Sequence, residues 1–209
     1  MRNTTGIVLM TLALAAPAFA GDDIQNHRFD ASGVKLIRID HPVGELEIVG
    51  ADVNAVEVRM EIDCDGRNCD EKIEDIRLES RSKNGELRLV VDGYPAFGKG
   101  LSVNLEMRVP HSMALAIEHG VGETSIEDIV GDIELEAGVG EVEIRGSSRA
   151  FRSAEIDLGV GESELMIDGD TIEGDSFLFV GGETEWHKGR GESHLKVEVG
   201  VGEANVRLD

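Results

Sequence analysis

The chain has 209 residues, of which 42 are Asp or Glu and 20 are Lys or Arg, so its formal net charge at pH 7 is −22. Nucleic acid is therefore excluded as a partner, because binding to phosphates requires a basic surface, and anionic membrane surfaces are unfavourable for the same reason. Cationic partners and divalent metals are compatible with this charge.

Residues 1–20 have the pattern of a secretory signal peptide. Arg2 supplies a positive charge, an apolar run extends over 6–16, and Ala-Phe-Ala precedes the predicted cleavage after Ala20. The apolar run is shorter than the roughly 20 residues of a membrane-spanning helix, and no later run reaches that length. We therefore predict an exported protein, periplasmic or at the cell surface, with no membrane span after cleavage and a single β-repeat domain over 21–209.

Alternating apolar and polar residues predict β-strands of irregular spacing over residues 28–110. Asn84-Gly85 predicts a tight hairpin turn, because this pair favours positive φ angles. Gly44-Glu45-Leu46 and Gly85-Glu86-Leu87 resemble degenerate copies of a motif that becomes regular later in the chain. The repeated fold is therefore expected to extend upstream of its regular part.

The two cysteines are Cys64 and Cys69, separated by Asp-Gly-Arg-Asn. A disulfide is expected in an exported chain, and the turn-forming residues between the cysteines allow their Cα atoms to approach. Closing so short a loop contributes about 2 kcal/mol to stability. A metal or redox site would need CxxC spacing or further ligands, so we interpret the pair as a hairpin staple.

A tetrapeptide recurs through the second half of the chain. GVGE occurs four times and VGGE once, with the second glycine of each copy at 122, 140, 161, 182 and 202. Apolar residues alternate on both sides of each copy, which predicts strands with one buried face. A period of this length indicates stacked repeats. The predicted fold is all-β: a short β-solenoid of ~20-residue, two-strand rungs with G-x-G-E corners, regular over 111–209.

Each corner is expected to need glycine, because a sharp bend requires positive φ or close backbone approach, and the valine between the glycines is expected to point inward. A phosphate-binding loop would need the lysine of GxxxxGK[ST], and a dinucleotide fingerprint would need a following helix. The sequence has neither feature. The motif is therefore interpreted as structural.

The glutamates of the motif are expected to form a ladder, one above another: Glu123, Glu141, Glu162, Glu183 and Glu203. Neighbours ~4.8 Å apart would repel by ~1 kcal/mol in water. We expect these carboxylates to point into solvent or to accept hydrogen bonds from corner N–H groups. The alternative is that calcium bridges adjacent rungs, since it binds carboxylate and carbonyl oxygens.

The segments between repeats vary in length and carry positive charge into an acidic chain. In repeat proteins such loops often form the binding edge. The candidate binding residues are Arg149, Arg152, His187, Arg190 and His194. The alternative is that they are solvated loop tips.

Residues 101–209 resemble a family of bacterial envelope proteins known as putative adhesins. The resemblance is carried by Val109-Pro110 at a strand end and by the segments GVGETSI, GVGEVEI, GVGESEL and GVGEANV. It implies an architecture of β-strand repeats and supplies no catalytic residue.

The favoured function is non-enzymatic: adhesin-like binding to a protein or glycan of the cell envelope, or an envelope scaffold, with no cofactor. The six histidines form no HxH or HExxH pair, and no GxSxG elbow occurs. One alternative is a calcium-dependent cell-surface module. Another is a β-helical enzyme acting on polysaccharide, which would need paired carboxylates in a groove and aromatic platforms for sugar rings.

Overall fold

The computed structural model describes residues 23–64, 73–95, 100–172, 174–176 and 181–209, and these residues form an all-β fold of thirteen strands. The strands are β1 (Asp23–Asp30), β2 (Leu36–Ala51), β3 (Ala55–Cys64), β4 (Arg77–Lys83), β5 (Glu86–Asp92), β6 (Leu101–Pro110), β7 (Ala114–Glu127), β8 (Ile133–Gly146), β9 (Phe151–Ile167), β10 (Asp170–Ile172), β11 (Asp175–Ser176), β12 (Gly182–Trp186) and β13 (Ser193–Leu208).

The strands belong to one open sheet, whose main path runs β1-β3-β6-β2-β7-β8-β13-β9-β12-β11. Strand β2 branches this path, because its first part pairs with β5 and its later part pairs with β6. The hairpin partner β4 extends the β5 side. At the other end, β9 pairs with β12 before its corner and with β10 near its end.

Five long strands, β2, β7, β8, β13 and β9, form the centre of the sheet and are called here the corner strands. Each pairs with the next in parallel register. Their second glycines align in the order Gly44, Gly122, Gly140, Gly202 and Gly161. The upstream copy at Gly44 therefore joins the regular copies, as the sequence predicted.

The order of the strands in the sheet differs from their order in the chain. The last strand, β13, lies between β8 and β9 and pairs with both. Adjacent corners in space are therefore not always adjacent copies in the sequence. Chain spacing alone contains no information about which copy inserts between two others.

Two of the seven motif-like sites do not join the aligned corners. Gly182 pairs with Leu158 in an antiparallel strand pair, so the prediction that Glu183 stacks with the other glutamates is wrong. Gly85 instead completes the predicted hairpin turn between β4 and β5, where Asn84 has φ 54° and Gly85 has φ 80°. In both cases the strand pair at the site is antiparallel, unlike the parallel pairs of the corner strands.

Burial alternates along each corner strand and changes phase at the corner. In β8, Ile133 and Leu135 are buried before the corner, and Val142 and Ile144 are buried after it. Side chains on both sides of the corner join one hydrophobic cluster that also includes residues of β3, β5 and β6. The alternation that predicted strands thus corresponds to one continuous apolar core.

Two predictions fall wholly or partly outside the described residues. The signal peptide over 1–20 lies outside them, as does Cys69. Cys64 lies at the end of β3, opposite Leu101 of β6. Its disulfide with Cys69 therefore stays a prediction.

Candidate binding surface at the glycine corners

The corners require glycine because the backbones of neighbouring strands approach closely there. Gly140 has φ 153°, and a Cβ atom on it would lie 1.7 Å from the carbonyl oxygen of Gly122. A Cβ atom on Gly202 would lie equally close to the carbonyl oxygen of Gly140, and one on Gly161 equally close to that of Gly202. A side chain at these positions would overlap the adjacent backbone, so the repeated glycines are explained by the fold.

The valines between the glycines point outward, contrary to the inward orientation expected from sequence. Val121, Val139, Val160 and Val201 are 46–48% exposed. Strand register places them in one row, which Val43 extends, in the order Val43, Val121, Val139, Val201 and Val160. At ~4.8 Å per strand the valine row is about 19 Å long. It forms an apolar line on the surface of a highly charged protein.

Two rows of carboxylates accompany the valine row. The leading row lies three residues before the valines and consists of Asp40, Glu118, Glu136, Glu198 and Asp157. The trailing row lies two residues after them and consists of Glu45, Glu123, Glu141, Glu203 and Glu162. The predicted ladder is thus present with Glu45 in it and without Glu183.

Cations compensate the leading row only in part. Lys196 Nζ lies 2.5 Å from Glu198, and Arg88 lies 3.8 Å from Asp40. Within the described part of the chain, no Lys or Arg forms a salt bridge with a carboxylate of the trailing row. The two rows therefore create a strongly negative surface on both sides of the valines.

An open groove of about 770 Å³ follows the leading row across the corner strands. Its walls include the leading-row carboxylates, and its lining includes the first glycines of the motif, such as Gly120, Gly138 and Gly200. Since these glycines lack side chains, the groove exposes backbone next to carboxylates. The surface that comprises this groove, the valine row and both carboxylate rows is called here the corner surface.

One group of carboxylates at the β9–β12 end is close enough together to hold a metal ion. Among the described residues, Glu155, Asp157 and Glu183 each place an oxygen within 4.8 Å of the other two. A hydrogen bond with Glu185, together with the charges of Glu185, Asp157 and Glu155, raises the pKa of Glu183. A divalent cation at this position would relieve that repulsion.

Two histidines are buried in the interior next to the corners. The rings of His41 and His119 are 4.6 Å apart, and the side chains are 1% and 4% exposed. His41 Nε2 donates a 2.7 Å hydrogen bond to the Val103 carbonyl, and His119 Nδ1 is hydrogen-bonded to Thr124 Oγ1 at 2.7 Å. Burial, with a smaller contribution from His119, lowers the pKa of His41 to about 4, and burial also lowers the pKa of His119. Both rings are therefore neutral at pH 7.

The structure places Arg152 and His194 in the first residues of β9 and β13, and the other predicted loop candidates lie before β9 or between β12 and β13. Arg152 Nε donates to the Gly191 carbonyl at 3.4 Å, and His194 Nδ1 is 2.8 Å from Ser153 Oγ. His187 lies 3.3 Å from Glu185, and Arg149 and Arg190 are exposed. Arg152 and His194 are thus neighbours across β9 and β13. They lie about 25 Å along the strands from the corner valines.

Sequence reasoning found the trailing row but missed the exposed valine row and the leading row. The available signal was the recurrence of an acidic residue three positions before each valine, at Asp40, Glu118, Glu136, Asp157 and Glu198. The exposed valines have no such signal in the sequence, because a small valine between two glycines fits an inward position equally well and the change of burial phase appears only in the structure.

Comparison with solved structures supports the fold through a protein whose TM-score exceeds 0.5. No protein-family model and no curated protein matches the sequence. A solved structure of a "putative cell adhesion protein" from Clostridium sporogenes ATCC 15579 is similar, with 13% identity, a TM-score of 0.53, and coverage of 90% of this chain and 100% of that chain. A "putative adhesin" from Bacteroides fragilis NCTC 9343 aligns with 10% identity and a TM-score of 0.31 over 89% of this chain and 98% of that chain.

The likeness to the Clostridium sporogenes protein shows the all-β fold, and at this identity it shows the fold alone. Within the described residues, no helix has the length and hydrophobicity needed to cross a membrane.

Proposed function

We propose that the protein is an exported, non-enzymatic β-solenoid that acts as an adhesin-like binding protein or as an envelope scaffold. The observation that carries this proposal is the valine row, which exposes the same apolar side chain in register on adjacent strands. Soluble proteins seldom leave such a line uncovered unless it takes part in an interaction. The repeated corners support the solenoid description, since they lie at the same position on five adjacent strands.

Export is supported by the signal-peptide pattern of residues 1–20. A binding role is supported by the similar fold of the Clostridium sporogenes protein, which is named for cell adhesion. The acidic surface is compatible with envelope proteins that carry positive charge.

The arrangement of the carboxylates favours binding over catalysis. The leading and trailing rows repeat the same acidic side chains from strand to strand. A catalytic site brings different groups together at one place, such as a general base, an acid and a stabilising donor. A uniform array is better suited to repeated contacts along an extended partner.

The proposal is tested by retention on beads that carry the mature protein, residues 21–209. Envelope extracts are passed over the beads before and after treatment with protease or periodate, which distinguishes protein from glycan partners. We expect a specific envelope component to be retained. Parallel beads carrying the Arg152→Ala/Arg190→Ala variant measure the contribution of the loop candidates. Absence of any retained component, or turnover of a glycan panel by the purified protein, would contradict the proposal.

A second candidate function is a calcium-dependent surface module, favoured by the group formed by Glu155, Asp157 and Glu183. Calcium binding at this group would raise the melting temperature and give a calorimetric signal. The Asp157→Asn/Glu183→Gln variant should lose both effects, whereas Glu192→Gln, an exposed site outside the group, should retain them. Equal melting temperatures with calcium and with chelator would rule this function out.

A further inference from the structure

We propose that the corner surface binds an extended cationic polypeptide segment that also carries apolar side chains. This inference rests on the proposed binding function and specifies the chemistry of the partner. It follows from three features of the surface: its exposed valines, its carboxylates and its dimensions.

A partner that covers the valine row needs apolar side chains. The exposed large hydrophobic residues of the described chain are Ile24, Val130 and the four row valines. The row valines pair in register and present a continuous line, whereas Val130 lies outside the corner strands. Covering this line removes apolar surface from water, which stabilises a complex.

The carboxylate rows require a partner with positive charge. Ten acidic side chains flank the valines, with Lys196 and Arg88 as the cations near the leading row. A second copy of this chain would bring like-charged rows together if it bound through the same surface. Nucleic acids and anionic lipids are repelled for the same reason. Charge complementarity therefore selects a cationic occupant.

The combination of both features selects a polypeptide over a small cation. A metal ion or a polyamine neutralises carboxylates but covers little of an apolar row. An extended peptide places alternate side chains on opposite faces, and a row of about 19 Å spans about six residues at 3.3 Å each. Apolar side chains on one face can contact the valines while long Lys or Arg side chains reach the carboxylates on either side.

The experiment measures binding of a fluorescent peptide of about twelve residues in which Lys and Val alternate. Comparison peptides replace Val by Ser or Lys by Glu, and spermine serves as a cation without apolar side chains. Fluorescence anisotropy is recorded in about 50 mM and about 300 mM NaCl, because salt screens the electrostatic contribution. The mature protein should bind the Lys/Val peptide more tightly than either comparison peptide, and more weakly at the higher salt concentration.

Variants of the protein separate the apolar contribution to peptide binding from the electrostatic contribution. Val139→Ser/Val201→Ser and Glu141→Gln/Glu203→Gln should each weaken binding about tenfold or more, which corresponds to about 1.4 kcal/mol. Val130→Ser and Glu192→Gln change residues of matched type outside the corner surface and should leave binding unchanged. Circular dichroism and melting temperature confirm that each variant is folded.

The inference is overturned if the wild-type protein does not bind the Lys/Val peptide, if the row-valine variant binds as tightly as wild type, or if spermine displaces the peptide at equal concentration. Retention of an envelope component by beads that carry either corner-surface variant would leave the proposed function intact while this inference fails. Loss of all retention by wild-type beads would instead refute the proposed function.

Discussion

At the scale of single residues, the corner glycines are subject to two constraints: a positive φ angle and a neighbouring backbone in close contact. Substitutions at different glycines separate these two constraints. Gly140 has a positive φ, and a Cβ atom on this residue would lie 1.7 Å from a neighbouring carbonyl oxygen. Gly169 also has a positive φ, 86°, but a Cβ atom on it would have no other atom within 4 Å. Replacing Gly169 by Ala tests the conformational cost alone. Replacing Gly140 tests conformation and backbone contact together.

We predict that Gly140→Ala lowers the free energy of unfolding by about 3 kcal/mol or more, because adjacent strands must separate to accept the methyl group. Gly169→Ala should cost about 1 kcal/mol from positive φ alone. Urea denaturation followed by circular dichroism measures both values. Equal losses for the two variants would show that close approach between the corner strands is not needed.

His41 makes stability depend on pH in a defined direction. Its folded-state pKa is lowered from 6.5 to about 4, so the unfolded state binds the proton first as pH falls. The contribution of His41 is therefore fully present above pH ~6.5 and is lost between that value and pH ~4. The full loss from this group is about 3 kcal/mol. Protonation would place an unpaired charge beside His119 in the interior.

The prediction is that replacing His41 by Leu reduces the loss of stability between about pH 6.5 and about pH 4. The His187→Gln variant, which changes an exposed histidine outside the interior pair, serves as control. Urea midpoints measured at several pH values test this difference. The account of the histidine pair is contradicted if His41→Leu and wild type lose stability in parallel.

At the scale of elements, the C-terminal strand β13 is central in the sheet. It pairs over most of its length with both β8 and β9, whereas β4 pairs only with β5 among the described strands. Amide exchange should therefore be slow in β13 and fast in β4, since central strands open only with larger parts of the structure. Hydrogen exchange with mass-spectrometric readout tests this, and comparable exchange in the two strands would contradict it.

The strands and their in-register corners could be predicted from sequence because they depend on local patterns. Alternation around Gly140 predicts two strand segments, and Asn84-Gly85 predicts a hairpin turn that the φ angles confirm. These features depend on local backbone chemistry and on which face of a strand is apolar. Both are present in the residues themselves.

The order of the strands and the outward valines could not be predicted in this way. The insertion of β13 between β8 and β9 depends on which long-range pairs bury the most surface, and near-identical copies do not distinguish the alternatives. The small size of a valine between two glycines suggests that Val139 points inward, but the burial phase changes at the corner and leaves this side chain exposed. The VGGE motif predicts Glu183 in the ladder, but β12 runs antiparallel to β9, and the motif itself does not reveal this direction.

At the scale of the whole molecule, the net charge is −22, and ten of the acidic side chains lie in the two parallel carboxylate rows. Neighbouring carboxylates ~4.8 Å apart repel by ~1 kcal/mol in water. We predict that NaCl raises the melting temperature, because it screens this repulsion. Glu141→Gln/Glu203→Gln should raise the melting temperature at low salt and reduce the effect of NaCl. A melting temperature independent of salt would show that the rows contribute no significant repulsion.

The strand order of the sheet is tested most directly by cysteine pairs in the valine row, introduced into a Cys64→Ser/Cys69→Ser background. Val139 and Val201 lie on adjacent strands, whereas β13 separates Val139 from Val160. Adjacent parallel residues have Cα atoms within the 4.4–6.8 Å range of disulfides, and two strand spacings of ~4.8 Å exceed it. Mild oxidation should therefore cross-link Val139→Cys/Val201→Cys and leave Val139→Cys/Val160→Cys reduced. Efficient cross-linking of Val139→Cys/Val160→Cys, with none for Val139→Cys/Val201→Cys, would contradict the fold described here.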